Sequence, residues 1–121
     1  MPPTKPRTTA RKPRKTVLRL DRQENVDAYQ ALIADREPLF SIGEVEYTIP
    51  KQAPTAWTVR TAHVSMTEGD VAAANYAMFT MLGEAGAEAL ASCETLTMTD
   101  FERIRDVILK RVLPGEDDPK S

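Results

Sequence analysis

The sequence predicts a mainly α-helical small domain with one β-hairpin and a disordered basic N-terminal arm. Twelve uncharged residues without Pro or Gly run from Val71 to Leu82, and a helix that is apolar nearly all round is typical of a buried helix. Two short alternating runs flank Gly43-Glu44, a pattern that indicates a hairpin. Residues 1–20 contain seven basic side chains and no acidic one.

The basic arm, residues 1–20, is rich in Pro, Thr, Lys and Arg. Such a segment buries too little apolar surface to offset the entropy of ordering it, so we expect disorder. The remaining residues carry nine basic groups against 18 acidic ones, and this charge opposes nucleic acid. The arm therefore has two open interpretations: weak, salt-dependent nucleic-acid contact through residues 5–19, or a solubilising tail.

Residues 21–37 are predicted to form a loosely docked helix. Asp21 and Glu24 have the spacing of a capping box, and Pro38 is expected to end the helix. The apolar stripe is thin and consists of Val26, Tyr29, Leu32 and Ile33. The opposite face is highly charged, so we expect this helix to dock only loosely onto the core.

A core domain is predicted over residues 38–113, with its hairpin at 39–49. Gly43 at the first position of a two-residue loop fits a type II′ turn. Because a lone hairpin is marginal in water, we expect it to pack on the helices or to pair with another chain. Its predicted apolar face consists of Phe40, Ile42, Val45, Tyr47 and Ile49.

Four further helical segments and a tail follow. The first is predicted from Pro54 to about Met66, with Trp57 near its start as a core or rim anchor and Ala56, Val59, Ala62 and Met66 inward. Thr67 is expected to cap the apolar helix, Gly83 to end it, and a short helix to follow at 84–91. That apolar helix is either the central core helix or one with a face reserved for a partner chain.

The last helix is predicted to start at a capping box formed by Thr99 and Glu102 and to reach about Leu113. A flexible acidic tail is predicted at 114–121. The apolar stripe of this helix is expected to consist of Phe101, Ile104, Val107, Ile108 and Val112.

The sequence lacks the residue sets that catalysis or metal binding requires. It contains one histidine, His63, and one cysteine, Cys93, whereas a zinc site or a Cys/His nucleophile needs more. No phosphate-binding or hydrolase motif occurs. We therefore expect no enzyme, no cofactor and no metal. Because no apolar run follows the basic start, neither a signal peptide nor a membrane anchor is expected.

One stretch carries a resemblance to a known family. FSIGEVEYTIPKQAPTAW is a hairpin ending in Ile-Pro that leads to a Trp-bearing helix. An Ala-rich helix then runs into MLGEAGAEALASCETLTMTDFERI and a closing amphipathic helix. From Leu39 onward the sequence resembles the tail assembly chaperones of long-tailed (siphovirus-type) bacteriophages, especially those of phages that infect actinobacteria.

The resemblance implies a function without catalysis. Such chaperones bind the tape measure protein, keep it soluble and help recruit major tail protein; they act in the host cell cytoplasm and are absent from the mature virion. We also expect a homo-oligomer and no membrane contact. Members are often made in two forms through a ribosomal frameshift, and this chain looks like the short form. The alternative is a small nucleic-acid-binding regulatory protein that uses the basic arm.

A holdase needs exposed apolar surface, and methionine surfaces adapt to varied partners. The predicted partner-binding residues are Phe40, Tyr47, Trp57, Met66, Met78, Phe79 and Met81. The competing interpretation is that the same side chains fill the protein's own core.

Overall fold

The computed structural model describes residues 17–113, which form four helices and one two-stranded antiparallel sheet. The mainly α-helical fold with one β-hairpin is thereby confirmed. The elements in chain order are α1 (Gln23–Ala34), β1 (Arg36–Ile42), β2 (Val45–Pro50), α2 (Thr55–Glu68), α3 (Asp70–Ala91) and α4 (Met98–Val112). The predictions for residues 1–16 and for the tail at 114–121 lie outside the described residues.

Helix α1 lies on the outside of the domain. None of its residues, 23–34, is buried. Its clearest contact is the Tyr29 ring, which meets the Trp57 ring edge-on with 6.5 Å between the centroids. The predicted cap is wrong, because Asp21 accepts a hydrogen bond from the Arg19 side chain instead and the helix begins after Arg22.

The hairpin has the predicted two-residue loop but a longer first strand. Ile42 pairs with Val45 across Gly43-Glu44, and Gly43 has the positive φ of 63° that the turn needs. The prediction that Pro38 ends the helix is wrong, since α1 already ends at Ala34. Pro38 lies in β1, next to an irregularity in the ladder between Pro38 and Phe40, where a missing N–H is tolerated.

One face of the hairpin packs on the helices. Ile49 is buried in the core, and Phe40 stacks on Tyr47 with 5.1 Å between the ring centroids. Val45 was expected on this face but is exposed, because it lies at the turn, beyond the reach of the helices.

Helix α2 turns a different face inward from the predicted one. Ala56, Val59, Ala62 and Met66 are exposed. The buried residue is Thr61, whose hydroxyl donates to the Trp57 carbonyl oxygen at 2.8 Å. Since that bond satisfies the hydroxyl, a threonine is tolerated in the interior, and the apolar residues remain on the outside.

A single residue, Gly69, separates α2 from α3 and ends one helix while starting the next. Thr67, the predicted cap of α3, belongs to α2 and donates its hydroxyl to the His63 carbonyl oxygen. The expected break at Gly83 is present: its φ of 75° and ψ of 174° interrupt α3, and a second helical segment continues to Ala91.

Helix α4 has the predicted stripe but a different cap. Ile104, Ile108 and Val112 are buried, with Phe101 and Val107 half-buried beside them. The capping prediction is wrong by two residues, since Thr97, not Thr99, accepts the hydrogen bond from the Asp100 N–H at 3.1 Å.

The core lies where α3, α4 and β2 meet. Arg111 of α4 donates to the Pro50 carbonyl oxygen at 3.1 Å and forms an ion pair with Glu37. Thr58 of α2 donates its hydroxyl to the Val112 carbonyl oxygen. The buried apolar cluster consists of Ile49, Ala77, Met78, Met81, Leu82, Ile104, Ile108 and Val112. Helix α4 therefore joins the hairpin to the α2–α3 pair.

Within residues 17–113, no helix combines the length and the apolar character that crossing a membrane requires.

Candidate partner-binding surfaces

The seven predicted partner-binding residues do not lie on one surface. Met66 and Phe79 are open to solvent, with 85% and 60% of their surface exposed. Met78 and Met81 are 4% and 1% exposed and belong to the core. The expectation of accessible side chains is wrong for these two, because the apolar helix places them between α4 and the hairpin.

The three aromatic candidates are half-buried and contact other rings. Trp57 packs against Tyr29 of α1, so it holds the outer helix on the domain. Phe40 and Tyr47 stack on each other across the hairpin. Each ring stabilises the chain's own fold while leaving part of its surface accessible.

A first groove, the helical groove, lies between the α2–α3 junction and α4. Its volume is about 820 Å³. Its apolar lining consists of Ala62, Met66, Val71, Ala73, Ala74, Leu109 and Leu113. Residues of α2, α3 and α4 line this groove. Met66 and Val71 are the most exposed large apolar side chains in the described part of the chain.

A second groove, the strand-edge groove, lies between β1 and α4 and has a volume of about 420 Å³. Four consecutive residues of β1 line it, Leu39 to Ile42, and no residue of β2 does. The opposite wall consists of Asp100, Arg103, Ile104 and Val107 of α4, and the floor is closed by Leu90, Cys93, Thr95 and Leu96.

The two grooves differ in charge from the rest of the surface. Residues 17–113 contain fifteen acidic and nine basic side chains, a net charge of -6 with His63 neutral. The helical groove is balanced, with Asp70 and Asp106 against Arg105 and Lys110. In the strand-edge groove Asp100 is balanced by Arg103. All of the net negative charge of the described residues therefore lies outside the grooves.

Residues with metal-binding or nucleophilic chemistry are dispersed. His63 is exposed on α2, and the Cys93 sulfur lies 3.5 Å from the Thr95 hydroxyl. Among residues 17–113, no three His, Cys, Asp or Glu side chains come together as a metal site would require.

Met66 is the one predicted partner-binding residue that lines the helical groove, and among the large apolar lining residues sequence reasoning missed Val71, Leu109 and Leu113. A signal was present on α4, because Leu109 and Leu113 lie one position beyond the core residues Ile108 and Val112. These two leucines make the apolar stripe of α4 wider than the surface that one neighbouring element can cover.

The chain therefore presents two charge-balanced grooves, one between helices and one at the edge of the hairpin. The surface around them is acidic. In comparisons with protein-family models, with curated proteins and with solved structures, no match to this chain is found.

Proposed function

We propose that this protein is a non-enzymatic phage tail assembly chaperone that binds the tape measure protein and keeps it soluble. In the same proposal it helps recruit major tail protein in the host cell cytoplasm. The resemblance of the sequence from Leu39 onward motivates the proposal. The observation that carries it furthest is the apolar helical groove on an otherwise acidic domain.

Exposed apolar side chains supply the binding free energy that a holdase needs. Met66 and Val71 are 85% and 78% exposed, and both border the helical groove. Full burial of a side chain of this size contributes about 1.5–3 kcal/mol. A flexible Met side chain also fits client segments of differing shape.

The shape of the helical groove favours a helical client segment. Helices α2, α3 and α4 form its walls, and an amphipathic helix binds such a groove through apolar residues at i, i+3, i+4 and i+7. The four lining charges cancel, so binding depends on apolar contact more than on net charge. The acidic surface outside the groove keeps the complex soluble by repulsion between particles.

Co-expression with the tape measure protein tests this function. We expect the chain to keep the tape measure protein in the soluble fraction and to co-purify with it at high salt. The substitution Met66→Gln is expected to reduce the co-purified amount severalfold, since it places an amide at the apolar wall. Met98→Gln is the matched control, because Met98 is 68% exposed and lines neither groove.

Two results would contradict the proposal. If the tape measure protein stays insoluble in the presence of the chain, it is not the client of this protein. Retention of the chain on DNA that fades with rising salt would instead favour the nucleic-acid-binding alternative. Of the basic residues in the arm segment assigned to that contact, Arg19 is described, and its side chain pairs with Asp21 at 3.0 Å.

A further inference from the structure

The strand-edge groove runs along the open edge of the hairpin. Successive strand residues point to opposite faces, so a groove lined by Ser41 and Ile42 together must follow the edge of β1. Strand β2 lies close to α1 and α3. In residues 17–113 the sheet has two strands, so the outer edge of β1 is not paired with another strand.

The backbone at Ser41 points into this groove. Ile42 and Val45 flank the two-residue loop and form the hydrogen-bonded pair that closes the hairpin. Hydrogen-bonded and non-hydrogen-bonded pairs alternate along an antiparallel ladder. Ser41, opposite Glu46, is therefore in a non-hydrogen-bonded pair, and its N–H and C=O point away from β2.

We propose that the strand-edge groove binds an extended, uncharged peptide segment of the client as a third strand on β1. The proposal rests on the proposed function, since it describes how a chaperone of this kind grips an unfolded segment. Main-chain hydrogen bonds to β1 would hold the segment, and its alternate side chains would contact α4. A third strand also stabilises a hairpin that is marginal in water as two strands.

The charges of the groove favour an uncharged segment. Asp100 and Arg103 are the charged side chains that line it, and they cancel. The apolar lining is provided by Leu39, Phe40, Ile42, Leu90, Leu96, Ile104 and Val107. An acidic segment would also be repelled by the surrounding surface, which carries the whole net charge of the described residues.

The length of the groove favours one strand over a second copy of this chain. Four residues of β1 line it, which corresponds to about 13 Å of extended chain. A stable protein–protein interface buries about 800 Å² on each partner, far more than a groove of this length offers. A single extended segment of about four residues matches this length.

A peptide probe tests strand addition directly. The probe is a fluorescein-labelled heptapeptide of alternating Thr and Val with blocked ends, and its binding to the full chain is measured by fluorescence anisotropy. Ser41→Pro removes the outward N–H, and an edge strand tolerates this because no ladder bond to β2 is lost. We expect S41P to bind the probe about tenfold more weakly or worse.

The matched control is Ser41→Val, which keeps the N–H and suits a strand; we expect it to bind the probe as the unsubstituted chain does. A probe with Glu in place of Thr, and one with methylated backbone nitrogens, are expected not to bind. Equal binding by S41P and S41V would overturn the proposal, as would failure of the unsubstituted chain to bind the probe.

Amide hydrogen exchange on the unsubstituted chain provides a measurement that does not depend on how S41P folds. Saturating probe is expected to slow exchange at the Ser41 amide, and an unchanged rate would overturn strand addition. A failure of the proposed function can be told apart from a failure of strand addition. If the chain binds the probe but leaves the tape measure protein insoluble, the proposed client is wrong and the strand-edge site remains. If the chain keeps the tape measure protein soluble but does not bind the probe, strand addition is wrong and the proposed function remains.

Discussion

Arg111 is the residue that connects the last helix to the hairpin. Its guanidinium donates to the Pro50 carbonyl oxygen at 3.1 Å and pairs with the Glu37 carboxylate. Both side chains of the pair are partly covered, so their hydrogen bonds are less exposed to competing water than those of a surface pair. This one side chain therefore fixes β1 and β2 relative to α4, and with them the width of the strand-edge groove.

Removing this connection is expected to lower stability. Arg111→Ala leaves the Glu37 carboxylate and the Pro50 carbonyl without their donor, at a cost of about 1–3 kcal/mol in the free energy of unfolding. Urea denaturation measures the change. Arg103→Ala on the same helix is the control, because Arg103 is exposed and its loss is expected to change stability little. Equal effects would show that Arg111 has no special role.

The cap of α4 gives a second prediction at a single residue. Thr97→Ala removes the acceptor for the Asp100 N–H and is expected to destabilise the protein by about 1 kcal/mol. Thr99→Ala, at the position that the sequence predicted as the cap, is expected to leave thermal unfolding nearly unchanged. If Thr99→Ala instead lowered the melting temperature more than Thr97→Ala did, Thr99 would be the cap.

The finding that Thr97 and not Thr99 caps α4 shows why some residue roles were not predictable. Thr97 is followed by Asp100 and Thr99 by Glu102, so both have capping-box spacing. Which of the two threonines caps the helix depends on where the preceding loop places the start of α4. Thr61 is a similar case, because its burial depends on a hydroxyl bond to the Trp57 carbonyl that no apolar pattern indicates.

At the scale of elements, Gly83 sets the shape of the longest helix. Its φ of 75° with ψ of 174° lies in a region that is essentially restricted to glycine. A Cβ placed at Gly83 would meet no atom within 4 Å. Any cost of a substitution there therefore comes from the backbone and not from crowding.

Gly83→Ala is expected to lower the free energy of unfolding by about 1–3 kcal/mol, the cost of holding Ala in this conformation. Chemical denaturation measures it, with Glu84→Ala as the control at the exposed neighbouring position. An unchanged or raised stability together with more helical circular dichroism would mean that α3 straightens through this position.

Elements with a strong local signal were predictable from sequence. The apolar stripe of α4 and the Gly43-Glu44 loop are confirmed. Both could be predicted because a helical repeat of apolar residues and a glycine in a turn are features of neighbouring residues in the sequence. Helix α2 was predicted with the wrong face inward. Its Ala and Thr residues differ little in polarity, and Trp57 contacts α1, a neighbour that the sequence of α2 does not reveal.

At the scale of the whole molecule, neither groove could be predicted. The helical groove joins Met66 and Val71 to Leu109 and Leu113, residues from three helices that meet only in the folded chain. The sequence indicated which side chains were apolar. It left open whether Met78 and Met81 would be enclosed or face a partner, and it did not indicate that Val71 would remain outside.

The separation of charge along the chain gives a prediction for the whole molecule. Residues 1–20 hold seven basic groups, whereas the grooves lie in the acidic domain. Deleting residues 1–19 is therefore expected to leave tape-measure binding largely intact in a pull-down and to abolish retention on DNA. Loss of all tape-measure protection on deletion would place the binding surface in the arm.

The one-residue junction at Gly69 also has a consequence for the order of folding. Helices α2 and α3 can meet with almost no loop to close, whereas Arg111 reaches Glu37 across 74 positions of the sequence. Local contacts form with little entropic cost, and distant ones form later. We therefore expect substitutions in the α2–α3 pair to slow folding, and loss of Arg111 mainly to accelerate unfolding.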